Sequence, residues 1–482
     1  MLDLLNDLLW SKVLIVALVG LGLYFTLASR FVQLRYFGSM FHIFAQAFQR
    51  QEGQLSSFQA LMLSVAGRVG AGNIAGVAVA ITLGGPGAVF WMWLVALLGM
   101  STSFFECSLA QLFKRRTEDG GYRGGPAFYI EHGLGLRWLA IVFSILLLVT
   151  FGFGFNALQA YTVASSLHDT FGLPTHFSGI ALVVVIGLII FGGIKRIAST
   201  ADVLVPVMAL SYIIMALVVI GMNIEAVPAT LALIVKSAFG LEPAFAGGIG
   251  AAIVMGVKRG LFSNEAGLGS APNVAAVAEV KHPAAQGIVQ SLSVFIDTLL
   301  ICTSTALIIL LSGVYQPGAE IGGVILTQTA MAAVLGEWGR IFVSLALLLF
   351  VFTTLVYNYY LGENALGFFS GKKPLLIGYR VLVIGLVLWG SMQDLSTVFA
   401  FADVTMGLLA LVNLVALALL FKVGLRLMRD YDAQIKAGVE EPVLDAKAFA
   451  DLDLDPSVWN GSSAPSVSAR ERAESGHSLH QR

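Results

Sequence analysis

The sequence predicts an all-α polytopic membrane protein with about 11 transmembrane helices, and composition is the first reason. Of the 482 residues, 57% are hydrophobic and 12% are charged, about half of the ~25% that is usual for a soluble domain. Eighteen of the charged residues lie between Lys422 and Arg482, so the rest of the chain carries too few to cover a soluble surface. The apolar stretches are also continuous, whereas the strands of a membrane barrel alternate apolar and polar residues. These features exclude a soluble enzyme, a nucleic-acid binder and a disordered protein.

A transmembrane helix needs about 20 mostly apolar residues, and such stretches follow one another along the chain. The predicted spans are 12–29, 58–83, 87–113, 137–166, 178–193, 199–221, 244–280, 284–313, 338–369, 375–391 and 395–421. The run from Ile321 to Gly336 is shorter and predicts an amphipathic helix within a loop. Beyond Lys422 the chain turns polar, and the Ser-rich, charged stretch 462–482 predicts a disordered tail.

The basic residues predict how the chain is threaded through the membrane, because cytoplasmic loops are enriched in Lys and Arg. They cluster in alternate loops, at Arg30, Arg35 and Arg50, at Lys114, Arg115, Arg116 and Arg123, at Lys195 and Arg196, at Lys281, at Lys372 and Lys373, and at Lys422, Arg426 and Arg429. The intervening loops contain one clear cation, Lys236. We therefore expect the N-terminus to lie outside and the C-terminus to lie in the cytoplasm.

Two of the predicted spans contain residues that interrupt a helix. The second span contains the run GRVGAGNIAG at Gly67–Gly76, and the seventh contains GLFSNEAGLGSAP at Gly260–Pro272. Clustered Gly, Asn, Ser and Pro weaken a helix. A broken backbone at membrane depth is tolerated only where it is buried in protein or lines a cavity. The two runs therefore predict two broken helices in the protein interior.

The positions of the two broken spans predict an inverted repeat. They are the second and the seventh, which leaves five spans in each of two blocks, and an odd number of spans reverses the orientation of the second block. In transporters built this way, paired broken helices form the binding site near the bilayer midplane. The chain then divides into an extra N-terminal helix with a cytoplasmic loop, a first five-helix repeat, a second repeat with an extracellular loop, and a partly disordered cytoplasmic tail, at 1–57, 58–221, 222–421 and 422–482.

The breaks also predict what could bind there. A broken helix exposes N–H groups on one side and C=O groups on the other. The N–H end carries about +0.5 charge and attracts a carboxylate, while exposed carbonyls suit an ammonium group or Na⁺. A zwitterionic amino acid matches both ends, and a site lined by glycines must be small. The alternative is that the glycines only allow close helix packing, but two breaks in repeat-related spans favour a binding site.

Several runs resemble the alanine or glycine:cation symporter family, and the resemblance covers about residues 10–455. It is carried by GGPGAVFWMWLVALLG at Gly84–Gly99, GAGNIAGVA at Gly70–Ala78, YRGGPA at Tyr122–Ala127 and LFSNEAGLGS at Leu261–Ser270. The resemblance implies a fold of the leucine-transporter type. It also implies uptake of alanine, glycine or a close relative such as D-alanine, coupled to the co-transport of Na⁺.

A sodium site is implied by the same resemblance. Thr353 and Thr354 lie in the middle of the apolar ninth span, where a hydroxyl can simply bond to a carbonyl of its own helix. The family's fold instead places a hydroxyl pair here at a Na⁺ site, completed by carbonyls just before the first break, which are those of Ala66 and Val69. Neutral oxygens suit a hard cation that must also leave again.

The expected substrate-binding residues come from the two breaks and from two other spans. They are Gly70, Ala71, Gly72 and Asn73 at the first break, Phe262, Ser263 and Asn264 at the second, and Asn156, Gln159 and Asn358 elsewhere. Asn156 and Gln159 share a helix face, and bare amides are costly in lipid, so both should point inward to substrate or to another helix. Asn358 stands where many family members carry Trp, which predicts a larger or more polar pocket.

Arg68 and Glu265 are charges placed at the two breaks, one at each. An unpaired charge near the bilayer centre costs at least ~2.5–3.5 kcal/mol, so we expect each to have a partner. One hypothesis pairs them with each other across the breaks as part of a gate, and the alternative pairs Glu265 with Lys258 or Arg259. The other acids in or near spans are expected to form structural pairs or line a cavity; they are Glu106, Asp202, Asp297, Glu363 and Asp403.

The sequence thus predicts a Na⁺-driven importer of a small neutral amino acid that works by alternating access and is not an enzyme. A metal-ligand cluster or a nucleophile–base pair is not evident. Two rivals stay open: a proton-coupled transporter of the same fold with Glu265 or Asp297 as carrier, and an ion or solute channel. The expected partners are the amino acid, Na⁺ and the lipid bilayer, without nucleic acid or an obligate protein partner.

Overall fold

The computed structural model describes residues 2–46, 55–118, 120–191, 193–241, 248–318 and 322–459. Over these residues the chain is predominantly helical. The helices of the first half are α1 (Leu4–Ala28), α2 (Val32–Arg35), α3 (Phe37–Gln46), α4 (Ser57–Arg68), α5 (Gly72–Gly84), α6 (Gly87–Leu112), α7 (Pro126–Phe128), α8 (Arg137–Phe171), α9 (Thr175–Ile190) and α10 (Gly193–Met222). Those of the second half are α11 (Val227–Ala238), α12 (Gly248–Asn264), α13 (Ala271–Ala275), α14 (Pro283–Leu311), α15 (Gly323–Leu335), α16 (Glu337–Phe369), α17 (Lys373–Ser391) and α18 (Leu395–Lys436).

Few other elements occur in the described ranges. A short antiparallel ribbon joins β1 (Arg115–Arg116) to β2 (Tyr122–Arg123) after α6. Single turns of 3₁₀ helix lie at Ile224–Ala226 and Ala446–Phe449. Wider π turns extend α7 or interrupt the long helices, at Leu8–Leu14, Gly72–Gly76, Tyr129–Gly133, Leu148–Phe155 and Phe295–Cys302. Such wide turns often mark functional positions, and three of these five carry or border predicted or charged site residues.

Each stretch predicted to span the membrane contains at least one described helix, but the count of eleven is not confirmed. In the part of the chain that is described, eight helices are long and apolar enough to cross a bilayer, or nine if α4 and α5 form one bent span. The shortfall has a physical cause, because α9 has 16 residues and α12 has 17 before the chain breaks. The loop helix expected near Ile321–Gly336 is α15, with 13 residues.

The polar segment after residue 421 is more ordered than its composition predicts. Helix α18 continues to Lys436, and the chain then folds back against the ends of other helices. Trp459 is buried, and its Nε1 donates to the carbonyl oxygen of Leu112 at 3.0 Å. Asp453 forms ion pairs with Arg115 and His132. The stretch expected to be disordered, 462–482, lies outside the described residues.

Glycines set the closest helix packing around α6. Gly256 of α12 faces Ala88 and Trp91 of α6, and a Cβ added to it would lie 2.5 Å from the Trp91 Cβ and still nearer the Ala88 carbonyl oxygen. Gly250, two turns earlier on the same helix, has no heavy atom within 4 Å of such a Cβ. Close packing against α6 therefore requires a glycine at position 256 but not at position 250, although both lie in the same helix.

Gly256→Val should lower the thermal stability of the purified protein, because the two helices cannot keep their spacing. Overpacking of this kind costs about 1–3 kcal/mol. Gly250→Val is the matched control and should stay near wild type. The melting temperatures of both variants in one detergent are the measurement, and equal values would contradict the close packing of α6 and α12.

Candidate functional site

The first break separates α4 from α5 at Val69–Ala71, and the two helices are bent by 48°. The break frees backbone N–H groups, and side-chain amide oxygens accept from two of them. The N–H of Gly70 donates to Asn73 Oδ1 at 2.8 Å, and the N–H of Ala71 donates to Gln159 Oε1 at 2.9 Å. Both acceptors are neutral and belong to predicted substrate-binding residues. The first break can therefore exchange them for the carboxylate of a ligand.

An oxygen cluster lies at the end of α4. The Thr354 hydroxyl oxygen is 2.9 Å from the Ala66 carbonyl, 3.2 Å from the Val69 carbonyl and 2.9 Å from the Phe350 carbonyl of its own helix. One hydroxyl proton can serve only one of these acceptors at a time. The cluster thus brings together several neutral oxygens with unused lone pairs, which is the chemistry that a hard cation needs.

Thr353 shares the Phe350 carbonyl with this cluster but makes no hydrogen bond to the Ala66 or Val69 carbonyl in the described structure. Its hydroxyl donates to the Phe350 carbonyl of its own helix at 2.9 Å. It also lines a small cavity of about 10 Å³ together with Ala66 and Thr200, enough for about one water molecule. Of the four residues expected at the sodium site, the structure therefore gathers Ala66, Val69 and Thr354, and leaves the Thr353 hydroxyl in its own helix.

The second break follows α12, where the chain leaves the helix at Glu265 and resumes briefly as α13. Glu265, Gly267 and Gly269 have φ values of 55°, 91° and 80°, so this loop turns through the left-handed region. For the non-glycine Glu265 this conformation is strained and persists only if the surroundings hold it. The left-handed turns end α12 at Asn264. The seventh span was predicted to reach residue 280, and this is wrong beyond α13, which ends at Ala275.

The two breaks meet in the protein interior. A Cβ on Gly72 would lie 3.2 Å from the Phe262 ring and from Ser263 Cα, so the first break packs directly on the second. Asp297 of α14 joins them. Its carboxylate accepts from Asn73 Nδ2 at 2.6 Å and from the Ser263 hydroxyl at 2.9 and 3.0 Å. The sequence named Asp297 as an acid in a span and as one of two candidate proton carriers, and a carboxylate in mid-span was the signal that it has a special role.

The other predicted residues of the second break face the same region. Phe262 packs against Phe155, with ring centroids 5.0 Å apart, and against Phe399 at 5.9 Å. Asn264 caps its own helix end instead, because its Oδ1 accepts from the N–H of Ala266 at 3.0 Å. Its Nδ2 donates to the Thr298 hydroxyl at 3.3 Å.

Two of the predicted site residues are buried amides with polar atoms that have no partner among the described residues. Asn358 is fully buried, and neither its Oδ1 nor its Nδ2 has a hydrogen bond there. Asn156 donates to the carbonyl of Gly152 at 3.2 Å, but its Oδ1 has no partner. Unsatisfied buried amides are rare in folded proteins and call for an explanation such as a ligand or a water molecule. Asn358 lies one turn after Thr354 on α16, so it shares a face with the oxygen cluster.

The predicted pairing of Arg68 with Glu265 is not a direct ion pair in the described structure. Arg68 donates to the Ser103 hydroxyl at 3.1 Å, to Ser293 and to the Gln290 carbonyl. Glu265 instead accepts from the hydroxyls of Ser270, at 2.6 Å, and Tyr357, at 3.3 Å. Hydroxyl and carbonyl groups thus satisfy both charges locally, and only a longer-range coupling between them stays a prediction.

The alternative pairing of Glu265 with Lys258 or Arg259 is wrong. Both cations pair with Asp403 of α18, at 2.7 and 2.5 Å, and all three side chains are largely buried. The Arg259 guanidinium also lies over the Phe399 ring, 4.6 Å from its centroid. Asp403 therefore ties α12 to α18 beside the aromatic residues of the second break.

On the side of the basic loops, Lys114 follows α6 and is buried. Its Nζ donates to the Ala278 carbonyl at 2.7 Å and lies over the Tyr122 ring. Burial lowers the pKa of Lys114 to about 7, and nearby Glu279 opposes this shift. The lysine thus holds the segment after α13 against the end of α6, outside the membrane-spanning helices.

Comparison with known proteins agrees with this architecture. A model of the sodium:alanine symporter family matches residues 1–446. The chain is 48% identical over 452 residues to the amino-acid carrier protein AlsT of Bacillus subtilis, covering 94% of this chain and 96% of that one. It is 47% identical over 440 residues to the probable sodium/glutamine symporter GlnT of the same organism, covering 91% of each.

Among solved structures, a manganese transporter of Eremococcus coleocola matches with a TM-score of 0.51 and 16% identity, over 77% of this chain and 78% of that one. Identity this low supports the fold alone. The apolar helices and the two joined breaks define a multi-pass membrane protein with a transporter fold. Its relatives are named carriers and symporters rather than enzymes. The chain belongs to the sodium:alanine symporter family.

Asp403→Asn should strongly destabilise the protein, because it leaves Lys258 and Arg259 unpaired in a buried place. Breaking one side of a buried ion pair costs about 3–5 kcal/mol. Asp451→Asn is the control, since Asp451 pairs with Arg426 at 2.8 Å on an exposed surface and its loss should change little. Thermal unfolding of both variants in detergent is the measurement. A small, equal shift in the two would show that Asp403 is not a buried anchor.

Proposed function

We propose that this protein is a secondary active symporter that imports a small neutral amino acid together with Na⁺ by alternating access. The single observation that carries the proposal is that two broken helices meet at their breaks inside the membrane-spanning bundle. A channel does not need this arrangement, whereas a transporter uses it to enclose a substrate between its repeats. The membrane potential would supply about 2.3 kcal/mol per 100 mV for each charge that moves inward.

The carboxylate of the amino acid would bind at the first break. The N–H groups of Gly70 and Ala71 currently donate to side-chain amides, and a carboxylate is a stronger acceptor at a helix N-terminus than an amide oxygen. Gly72 has no side chain, and this allows Phe262 and Ser263 to pack against the first break. Gln159, Asn73 and the unpartnered amides of Asn156 and Asn358 would then surround the rest of the substrate.

The sodium ion would bind beside the substrate at the oxygen cluster of Ala66, Val69 and Thr354. These oxygens are neutral, both carbonyls lie within hydrogen-bond distance of the Thr354 hydroxyl, and the cluster lies at the end of α4, next to the first break. Binding of a cation there would place its charge near a substrate carboxylate at the same break. This closeness gives a physical reason for coupling, because each charge stabilises the other in a medium of low dielectric constant.

We further propose that the chain lies in a bacterial inner membrane with its N-terminus outside and its C-terminus in the cytoplasm. The distribution of Lys and Arg between loops supports this orientation. Under this orientation Asp403 and the aromatic residues that pack on Phe262 lie on the outer side of the site. Lys114 and the segment 437–459 lie on the cytoplasmic side. Arg68 and Glu265, one at each break, would respond to the movement between these two faces.

Uptake by purified protein in liposomes tests the proposed function. Liposomes are loaded with K⁺, and a K⁺ ionophore sets a negative potential inside while labelled alanine, glycine or glutamine is added with Na⁺ or choline outside. We expect saturable uptake that needs Na⁺, with glutamine included because one relative is named for it. Gly70→Val is a site variant whose Cβ would lie 2.6 Å from the Thr354 hydroxyl, and Gly378→Val is a control with open space. Flux that does not saturate would favour a channel.

A proton-coupled transporter is the second candidate, and Asp297 is the observation that favours it. Its carboxylate is fully buried and accepts hydrogen bonds from both breaks, so its protonation would alter the contact between them. Uptake driven by an inward proton gradient without Na⁺ would support this candidate. Loss of that proton-driven uptake in Asp297→Asn, with the Na⁺-driven part retained, would assign the carrier.

Thr354→Val should raise the Na⁺ concentration for half-maximal uptake by about tenfold, because it removes one ligand oxygen and keeps the shape of the side chain. Thr353→Val is the matched control and should have a smaller effect, since its hydroxyl bonds to its own helix. Uptake is measured against Na⁺ concentration for both. Equal half-saturation in wild type and Thr354→Val would rule out the oxygen cluster as the ion site.

Asn358→Trp should narrow the range of accepted substrates, because a large ring would replace a buried amide that has no hydrogen bond among the described residues. Gln159→Ala should raise the half-saturation for every substrate, since the proposed site loses an amide side chain that would contact the substrate. Gln393→Ala, on the turn before α18, is the control. Competition of labelled alanine with glycine, D-alanine, serine and glutamine is the measurement. An unchanged profile in Asn358→Trp would place Asn358 outside the pocket.

A further inference from the structure

A buried carboxylate of α6 already occupies the second break. Glu106 is fully buried, and its Oε1 accepts from the N–H of Gly267 at 3.2 Å, while the N–H of Gly269 also points at the carboxylate. Its Oε2 accepts from Asn413 Nδ2 of α18 at 3.0 Å. Asn413 in turn donates to the carbonyl of Gly267 at 2.9 Å. The Glu106 side chain of α6 thus accepts hydrogen bonds from the backbone amides that the second break frees.

The loop leaves no room for another anion beside Glu106. A Cβ on Gly269 would lie 2.7 Å from Pro126 and 2.8 Å from Phe143. A Cβ on Gly267 would lie 3.2 Å from Leu414. Packing at Gly267 and Gly269 therefore holds the left-handed loop in place around the Glu106 carboxylate.

The two breaks differ in the charge of their acceptors. At the first break the freed amides donate to neutral oxygens, those of Asn73 and Gln159. At the second break they donate to a carboxylate, which forms hydrogen bonds roughly twice as strong as a neutral acceptor does. A substrate carboxylate can displace the first kind of acceptor but not the second, and Glu106 would also repel it.

We propose that Glu106 is the built-in anion of the second break, a positioning residue that directs the carboxylate of the substrate to the first break. This inference rests on the proposed function and deepens it, because it explains why two similar breaks form one carboxylate site. Arg68 of α4 donates to the hydroxyl of Ser103, which lies one turn before Glu106 on α6, and the Arg68 charge acts on Glu106. The Glu106 charge is therefore partly balanced within the protein and does not depend on the substrate.

The test compares Glu106→Asp, which keeps the charge, with Glu106→Gln, which keeps the shape. Without the negative charge, the loop loses its strongest hydrogen bonds and the second break no longer repels the substrate carboxylate. We expect the KM for alanine to rise by about tenfold or more in Glu106→Gln, which corresponds to one charge-assisted hydrogen bond. Glu106→Asp should lie between it and wild type. Glu131→Gln, whose partner Arg137 lies 2.5 Å away on an exposed surface, is the control.

A second measurement does not depend on transport. Formate should raise the melting temperature of Glu106→Ala, because it can replace the missing carboxylate, and should leave wild type and Glu131→Ala unchanged. If Glu106→Gln fails to fold while Glu106→Asp folds, the charge requirement is supported. The inference is overturned if Glu106→Gln transports as well as Glu106→Asp or better, or if formate has no effect on folded Glu106→Ala. Absence of Na⁺-driven uptake in wild type would instead refute the proposed function, and the formate result would still stand by itself.

Discussion

Backbone groups that a helix break frees inside a bilayer must find partners within the protein, because lipid offers none. This constraint organises the centre of the molecule. At the first break, Asn73 and Gln159 accept from freed N–H groups and the Thr354 hydroxyl contacts the Val69 carbonyl, while Thr327 donates to the Ile74 carbonyl within α5. Since Gln159, Thr327 and Thr354 lie on α8, α15 and α16, these contacts draw three other helices around the first break.

The second break is satisfied by a different set of helices. Glu106 of α6 and Asn413 of α18 hold its left-handed loop, and Asp297 of α14 links Ser263 at its start to the first break. Each of these contacts joins a broken helix to an unbroken one. A displacement of either break would therefore exchange or break several hydrogen bonds at once, which is the physical condition for two discrete arrangements rather than gradual deformation.

In this interior one cation balances the charge of several carboxylates. The Arg68 guanidinium acts on the carboxylates of Glu106, Glu265 and Asp297, and its own hydrogen bonds go to hydroxyl and carbonyl groups. Such an arrangement avoids one rigid ion pair whose separation would be costly in low dielectric. The buried ion pairs of Asp403 follow the opposite design, since two cations contact one carboxylate and tie α12 firmly to α18.

The sequence by itself determined the membrane class, the helical stretches, the two breaks and most of the residues around them. These features depend on local composition: continuous apolar runs, clustered helix breakers and amides too polar for lipid. The oxygen cluster was foreseen through Thr354, Ala66 and Val69 only with the help of family resemblance, and Thr353 turned back to its own helix. Fewer helices than the predicted eleven meet the length criterion for a span. One reason is that the left-handed turn at Glu265 ends α12 early, and another is that α9 is short.

Only the tertiary structure decided which buried charges meet. Glu106, Asp297 and Asp403 each had several acceptable partners in the sequence, and Arg68 had Glu265 as the obvious one. Apart from Thr298, which is next to Asp297 in the chain, their partners named above lie between about 34 and 307 residues away, as with Ser263 to Asp297 and Asn413 to Glu106. Composition and spacing carry no information about such distances, because a buried charge is stabilised by whatever donors the packed helices bring to it.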